Sequence, residues 1–479
     1  MASGRGPAEV RGDERRYPPA DMAGELTAVV MAAGKGTRMR SSLPKVLHPV
    51  CGRPMVEWVV AAARAAGADR VICVTRPGDG VAEGLPDGVE VVEQVEGEGT
   101  GSAVLAARDA VGSGARVAVL SGDQPLISAE LLGELLELHA AGGAAATMLT
   151  TDGLDPAGYG RIVRLPDGAV ERIAETKDPA GVAPEVLALR EINLGTYAFD
   201  GDALFAALDA VGARSGERQL TDVVALLRER GLPVAAHLTG DVDSAVGVNS
   251  RADLMEAERR AQRRILERHA LAGVSFLAPD STRVEADVEI GGDTVVGPGV
   301  TLRGATRIGA GCEIGPQTTI TDCELGDGVV CVHSFLAGAR VEAGAAVGPF
   351  AYLRPDAHLG EGAKVGTFVE VKNSEIGAGA KVPHLSYIGD ADVGEGANIA
   401  AGNITANYDG RRKHRTTIGR GARTGVNTSF VAPVVVGDGA YIGAGSVIFK
   451  DVPPGALGIS RPQQKNIDGY TERIDKERG

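Results

Sequence analysis

Residues 288–321 read VEIGGDTVVGPGVTLRGATRIGAGCEIGPQTTIT. Within them Ile290, Val296, Leu302, Ile308, Ile314 and Ile320 recur every six positions, often followed by glycine. The period resumes in a shifted register through Val329, Phe335, Val341, Val347, Leu353, Leu359, Val365 and Val371. It returns at Ile376, Val382 and Ile388, and again at Ile418, Thr424, Phe430, Val436, Ile442 and Ile448. A period of six is neither that of an α-helix nor that of a flat strand. It is the signature of hexapeptide repeats wound into a parallel β-helix. Each aliphatic points inward and stacks on its equivalents in the adjoining coils, while the small residue after it permits the turn.

Composition suits such a fold. The 479-residue chain carries 68 glycines and only 8 Phe, 8 Tyr and 1 Trp, so its cores are packed from Val, Ile, Leu and Ala. The absence of a G-X-Y period excludes collagen, and a 44% hydrophobic content excludes a wholly disordered chain. The length implies more than one domain. A net charge of −14 argues against nucleic acid or an anionic membrane as partner. No apolar run approaches the ~20 residues of a membrane helix. Cys51, Cys73, Cys312, Cys323 and Cys331 lack metal-ligand spacing and read as buried thiols of a cytoplasmic protein. Residues 1–24, without an apolar signal-peptide core, read as a disordered extension.

Residues 25–249 alternate apolar runs with helical stretches. Strands are predicted at 27–31, 71–75, 89–94, 116–121 and 144–150, and helices at 55–66, 101–110 and 129–140. That alternation indicates a Rossmann-like α/β domain with a mostly parallel sheet, whose ligands sit at the carboxyl ends of the strands. Residues 250–273 read as a linker helix, with Ser250 and Asp253 as a capping-box-like start and Gly273 past its end. A helix belonging to the first domain is an equal alternative. The β-helix then occupies 274–460, and 461–479 form a tail.

Two clusters carry chemistry. The first strand runs into Ala32-Ala33-Gly34-Lys35-Gly36-Thr37-Arg38-Met39. Its glycines let backbone N–H groups approach a polyphosphate, and Lys35, Arg38 and Lys45 add charge. Taken alone, such a turn is equally a plain strand connection. Asp123 ends another strand, where a carboxylate suits a divalent cation or caps the following helix. In the β-helix, segment 406–414, ANYDGRRKH, interrupts the period and so must be an external loop. It lies near Arg354, Lys372, His384, Tyr387 and Asn398 in sequence, and this mixture of cations, imidazole, phenol and amides favours a site over a solvated face.

The motifs G-x-G-T-R-M with L-P-K, then F-V-E-V-K, H-L-S-Y-I-G-D-A and N-Y-D-G, resemble those of the bifunctional N-acetylglucosamine-1-phosphate uridyltransferase/glucosamine-1-phosphate acetyltransferase family. The likeness runs over about residues 27–466. It implies a left-handed β-helix, a homotrimer and synthesis of UDP-N-acetylglucosamine. The substrates would be UTP, N-acetylglucosamine 1-phosphate, glucosamine 1-phosphate and acetyl-CoA, with Mg²⁺ held by Asp123 and Asn249. By the same resemblance Lys45 and Arg38 act on the phosphates. Ala32, Ala33, Gly34, Lys45, Gln94, Gly99, Thr100, Gly160, Glu175, Asn193 and Asn249 bind UTP and the UDP-sugar. Arg354, Lys372, Tyr387, Asn398, Asn407, Tyr408 and Lys413 bind the acetyl acceptor, Lys413 coming from the same chain or a neighbour. Ala401, Val426, Ala444 and Arg461 line the CoA groove. The acceptor amine is protonated at neutral pH, so a base must free its lone pair; His384 is that base, an imidazole being ordinarily near ~6.5. The backbone N–H of Tyr387 is a candidate oxyanion donor.

Gly97, Glu98, Ser102, Ser121 and Leu194 depart from the family pattern and put nucleotide or sugar preference at issue, and Val426 departs in the CoA groove. Two narrower readings stand beside the bifunctional one: an acetyltransferase with an altered or inactive nucleotidyl site, and a nucleotidylyltransferase with a regulatory or oligomerising β-helix.

Overall fold

The computed structural model describes residues 24–176, 178, 181–212 and 217–478. Residues 1–23, which hold nearly all of the stretch read as a disordered extension, lie outside the described residues. The chain divides into two compact units. One comprises the residues up to Val50 with Pro54–Ala257, the other Cys51–Arg53 with Glu258 onward.

The first unit is built on β1 (Leu26–Met31), α1 (Met55–Ala65), β2 (Arg70–Thr75), β3 (Glu90–Glu93), α2 (Thr100–Ala106), β4 (Arg116–Ser121) and α3 (Ala129–Gly142). It continues with β5 (Ala146–Thr151), β6 (Arg161–Arg164), β7 (Val170–Ala174), β8 (Ile192–Asp200), α4 (Gly201–Ala210), α5 (Asp222–Glu229) and β9 (Val234–Leu238). The sheet order is β9-β5-β8-β4-β1-β2-β3, with the β6–β7 hairpin attached through β8. Strands β1 to β4 pair in parallel, whereas β8 runs antiparallel to both β4 and β5.

Alternate residues of each strand face opposite sides of a sheet. Val29, Ile72, Val74, Val117 and Val119 accordingly join α2, α4 and α5 in one core. Ala28, Val30, Val71, Cys73, Ala118 and Leu120 join α1 and α3 in the other. Both faces are therefore covered, which is why the strands read as unbroken apolar runs. The helix predicted over 101–110 is in fact two, α2 and the turn Arg108–Val111, broken where the Ala107 N–H tightens onto Val104 O at 3.1 Å.

The helix α6 (Arg251–Leu271) begins as its sequence implies: Ser250 N–H donates to Asp253 Oδ2 at 2.8 Å and Asp253 N–H to Ser250 Oγ at 3.3 Å. Gly273 follows its end with φ +96°, a left-handed conformation glycine adopts without steric cost.

The second unit is a left-handed parallel β-helix of three sheets. Val284, Leu302, Ile320, Leu336, Leu353, Val371 and Ile388 stack in register along one sheet. Ile290, Ile308, Leu325, Val341, Leu359, Ile376, Val393, Ile418 and Val436 stack along another. All are buried. The expected register slips at two positions. The residues that stack in register across the shortened coils are Leu325, Cys331 and Leu336 rather than Val329 and Phe335. Val329 is still fully buried, two residues before Cys331. Phe335 lies outside, 45% exposed, edge-on to Tyr352 at 5.4 Å. Five-residue steps from 320 to 325, from 331 to 336 and from 336 to 341 shift the period while keeping each coil closed. All five cysteines are free and buried. No helix among the described residues is long and apolar enough to cross a membrane. The tail ends in a short helix, Tyr470–Arg478.

Candidate active sites

In the first unit the site forms where β1 and β4 end. Ala32 N–H still pairs with Val74 O at 2.8 Å, and the chain then turns through Gly34 and Gly36 into the Thr37–Met39 turn that carries the exposed Arg38. Gly36 has φ +57°, and a Cβ there would stand 2.8 Å from Lys45 Cβ. Glycine is thus required by close approach as well as by conformation. Lys45, with an 11% exposed side chain, bonds the Asp123 carboxylate and reaches Asn249 Oδ1 at 3.2 Å.

One cationic nitrogen therefore marks a point where two hard oxygens converge, brought from residues 123 and 249. Ser121 Oγ donates to the other Asp123 oxygen, Oδ1, at 2.7 Å, and the Asn249 backbone N–H is tied to Asp253 Oδ2 at 3.0 Å, so both residues are held in place. Two such donors fit a hard divalent cation that takes its remaining ligands from phosphate and water. No cluster of three or more His, Cys, Asp or Glu side chains suited to a metal occurs among the described residues, so the chain supplies no closed cage.

The departures from the family pattern resolve into contacts. Glu98 receives hydrogen bonds from Lys35 Nζ and Arg76 Nη2, each at 3.0 Å, which hold its carboxyl below the ordinary value. Arg76 also bonds Ala33 O, so a Lys35–Glu98–Arg76 strap ties the phosphate turn to the 94–100 loop. Gln94 donates to Gly97 O at 2.9 Å, and Ser102 Oγ to Glu98 O at 2.9 Å. Leu194 is buried in the core, with its carbonyl accepting from Gln124 Nε2 at 2.6 Å. Gly99 and Gly101 pack against Arg218, whose carbonyl would lie 2.4 and 3.0 Å from an added Cβ, and Thr100 Oγ1 accepts from Leu220 N–H at 3.0 Å. The expectation that Gly99 serves ligand approach therefore meets a second use: both glycines admit the neighbouring segment at Arg218.

Gly160, Glu175 and Asn193 come together beside Tyr197. An added Cβ on Gly160 would lie 3.8 Å from Asn193 Cβ, and Asn193 Nδ2 donates to Tyr197 Oη at 2.7 Å. Burial, opposed by the Asn193 hydrogen bond and aided by the Glu175 charge, pushes the Tyr197 phenol above its ordinary value.

In the second unit, consecutive coils place Arg354, Lys372 and Gly389 in one column, since Leu353, Val371 and Ile388 stack in register. A Cβ on Gly389 would meet Tyr387 Oη at 2.3 Å, so the missing side chain is the space that lets the phenol lie over the column. Arg354 donates to Glu370 Oε1 at 2.8 Å, and Lys372 lies 3.4 Å from Asp390 Oδ2. Asn407 Nδ2 donates to Tyr387 Oη at 3.3 Å and to Asp390.

The 407–414 loop is a hairpin: Asp409 accepts from Arg411 and Arg412 N–H and from His414, and its pKa falls to about 2. The Tyr408 hydroxyl donates to Gly410 O at 2.8 Å. Lys413 of the same chain lies beside Lys372, and this neighbouring lysine holds its ammonium below the usual lysine range. Lys372 moves upward, through its interaction with Lys413 first and the attraction of Asp390 next.

His384 is exposed and ends the strand Lys381–His384. Leu385, at φ +48°, turns the corner between it and Tyr387. Asn398 stands in register with Lys381 on the His384 sheet. Gly402 N–H donates to His384 O at 3.3 Å, Asn427 N–H to Ala401 O at 2.8 Å, Gly445 N–H to Val426 O at 2.8 Å, and Arg461 Nη1 to Ala444 O at 2.9 Å. Ala401, Val426, Ala444 and Arg461 thus climb coil by coil from the histidine. The Tyr387 N–H is spent on Asn403 O at 2.9 Å, which corrects its reading as an oxyanion donor. Ala401 N–H, one coil beyond His384, takes no partner among the described residues. Sequence reasoning missed Arg76, Glu370 and Asp390, which act on other side chains and leave no spacing signal.

Comparisons with known proteins agree across both units. The family of the MobA-like NTP transferase domain matches residues 28–244, and that of the bacterial transferase hexapeptide (six repeats) matches 287–322 and 415–450. "Bifunctional protein GlmU" of Mycobacterium tuberculosis (strain ATCC 25177 / H37Ra) is 46% identical over 462 residues, covering 94% of this chain and 93% of its own. The protein of the same name from Streptomyces avermitilis is 47% identical over 454 residues, covering 93% and 94%. With both sites assembled and the likeness running the length of the chain, the protein belongs to the family of the bifunctional protein GlmU.

Proposed function

We propose that this chain makes UDP-N-acetylglucosamine in two transfers, one in each unit. The β-helix moves the acetyl group of acetyl-CoA to the amine of glucosamine 1-phosphate, releasing CoA. The α/β unit then joins N-acetylglucosamine 1-phosphate to the uridylyl group of UTP, releasing pyrophosphate. The observation that carries this reading is that an oxygen pair with phosphate-turn cations and an imidazole–phenol–amide cluster occur in one chain.

For acetyl transfer, His384 accepts a proton from the substrate ammonium, so that the freed nitrogen lone pair attacks the thioester carbonyl. Arg354, Lys372 and Lys413 hold the sugar phosphate, and Tyr387, Asn398 and Asn407 orient the sugar. Ala401 N–H suits the developing oxyanion, and collapse of the tetrahedral intermediate expels the CoA thiolate. Tyr408 stands with the acceptor-binding residues, and Ala401, Val426, Ala444 and Arg461 lie along the CoA path.

For uridylyl transfer no protein base is needed, because the sugar phosphate oxygen is already anionic and attacks the α-phosphate in line. Ala32, Ala33 and Gly34 offer backbone to the phosphates, Lys45 and Arg38 neutralise them, Gln94, Gly99 and Thr100 hold the base, and Gly160, Glu175 and Asn193 hold the sugar. Asp123 and Asn249 hold Mg²⁺, which when bound neutralises charge on the nucleotide phosphates. The hexapeptide fold supports a trimer, to be checked by the mass of the native protein in solution.

Two assays test the function. Pure protein is expected to release thiol from acetyl-CoA with glucosamine 1-phosphate, and pyrophosphate from UTP with N-acetylglucosamine 1-phosphate. Absence of thiol release sinks the first transfer, and faster turnover of dTTP than of UTP sinks the uridyl preference.

A further inference from the structure

Asp390 has no part in the reaction as derived so far, yet its carboxylate lies at the centre of the acyl-transfer cluster. The residue is 5% exposed and occupies a left-handed corner, φ +51°. Its backbone is pinned on both sides, Asp390 N–H donating to Lys372 O at 3.0 Å and Asp390 O accepting from Thr416 N–H at 3.1 Å. Asn373 Nδ2 donates to Oδ1 at 2.6 Å, Lys372 lies 3.4 Å from Oδ2, and Asn407 Nδ2 donates to Oδ2. Burial alone would raise this carboxyl, but the hydrogen bonds from Asn373 and Asn407 and the Lys372 charge hold it below its ordinary value.

An ionised carboxylate accepts hydrogen bonds and donates none. The atom of Asn407 that meets it must therefore be the amide nitrogen. The second hydrogen of that nitrogen is spent on Tyr387 Oη at 3.3 Å. Asn407 is left with only its carbonyl oxygen to offer, and Tyr387, having accepted from Asn407, is left with its O–H to donate.

We propose that Asp390 is the positioning residue of the acyl-transfer site: it fixes the amide of Asn407 so that a hydrogen-bond acceptor faces the substrate amine, and it anchors Lys372 for the phosphate. An acceptor there binds an N–H of the amine and turns its lone pair toward the thioester. This rests on the acetyl-transfer reading above.

The test is Asp390→Asn, which keeps size and removes the charge that enforces the orientation. The full-length variant is expected to lose about 10- to 100-fold in kcat for acetyl transfer, the scale of a misplaced reacting group. Its KM for acetyl-CoA and its uridylyl transfer should stay within about twofold of wild type. In an Asn407→Ala background the same change should cost under about threefold, because its main route of action is already gone. An Asp390→Asn enzyme as fast as wild type overturns the proposal. So does a loss that multiplies in full in the Asn407→Ala background, or one that appears in the KM for acetyl-CoA, both marks of a general packing defect. Should wild-type protein itself release no thiol, the acetyl-transfer reading fails first, a result distinct from any difference between variants.

Discussion

The two candidate sites of this chain both hold their charges in ion pairs, but on different supports. In the α/β unit they sit on loops at strand ends and are satisfied by one another at rest: Lys45 by Asp123, and Lys35 and Arg76 by Glu98. On the proposed reading a triphosphate and its cation would rearrange those pairs to bind. In the β-helix the groups stand on coil corners tied to the coils above and below, as when Asp390 N–H bonds Lys372 O one coil away. A loop site exchanges partners on binding, whereas a solenoid site is assembled before its substrate arrives, which lowers the cost of ordering it.

Substitutions can break this contrast. The largest effect is expected for His384→Ala, with acetyl transfer falling about 10³-fold, the scale of a lost general base. Uridylyl transfer by the same protein should be unchanged, and a parallel loss in both assays would mean the sites are not separate. Asp123→Asn should reverse the pattern, reducing uridylyl transfer by about 10²-fold or more while thiol release stays at the wild-type rate; chelation of divalent metal should mimic it.

Glu98→Gln sharpens the comparison. Relieved of their carboxylate, Lys35 and Arg76 are free for phosphate, so KM for UTP should fall by up to about fivefold, the scale of an exposed ion pair. Raising the salt should shrink that gain, since exposed charges are screened. A higher KM would show that the strap orders the loop rather than competing with the ligand.

The smallest effect concerns pH. The Lys413 ammonium is held below the lysine range, so its charge is present at low pH and lost as pH rises through the lowered value. KM for glucosamine 1-phosphate should therefore climb earlier on the alkaline side than an ordinary lysine would allow. Lys413→Arg, charged throughout, should move that limb to higher pH. An unmoved limb would assign it to another group.

Much of this was legible without coordinates. The six-residue period follows from geometry: a coil wall exposes one inward position per turn, so Leu302, Ile320 and Leu353 must be aliphatic whatever surrounds them. The tight turn at Gly36 could be read because close approach to Lys45 excludes a side chain, and exclusion leaves a glycine in the sequence. The shortened coils were misread, because buried Val329 is as apolar as Cys331 two residues on, and spacing cannot tell inward Leu336 from the outward-facing aromatic Phe335. Leu194 and Glu98 looked like changes of specificity; one is core and the other an ion-pair hub.

The sequence by itself determined which chemistries the chain holds and the two architectures that carry them, since both follow from periodicity and local motif. Only the tertiary structure decided which groups act on one another. Lys45, Asp123 and Asn249 are remote along the chain, as are Asp390 and Asn407, and no local propensity reports such a meeting. The direction of a hydrogen bond, a strap between two loops and the vacant face of Gly389 exist only once distant segments are packed.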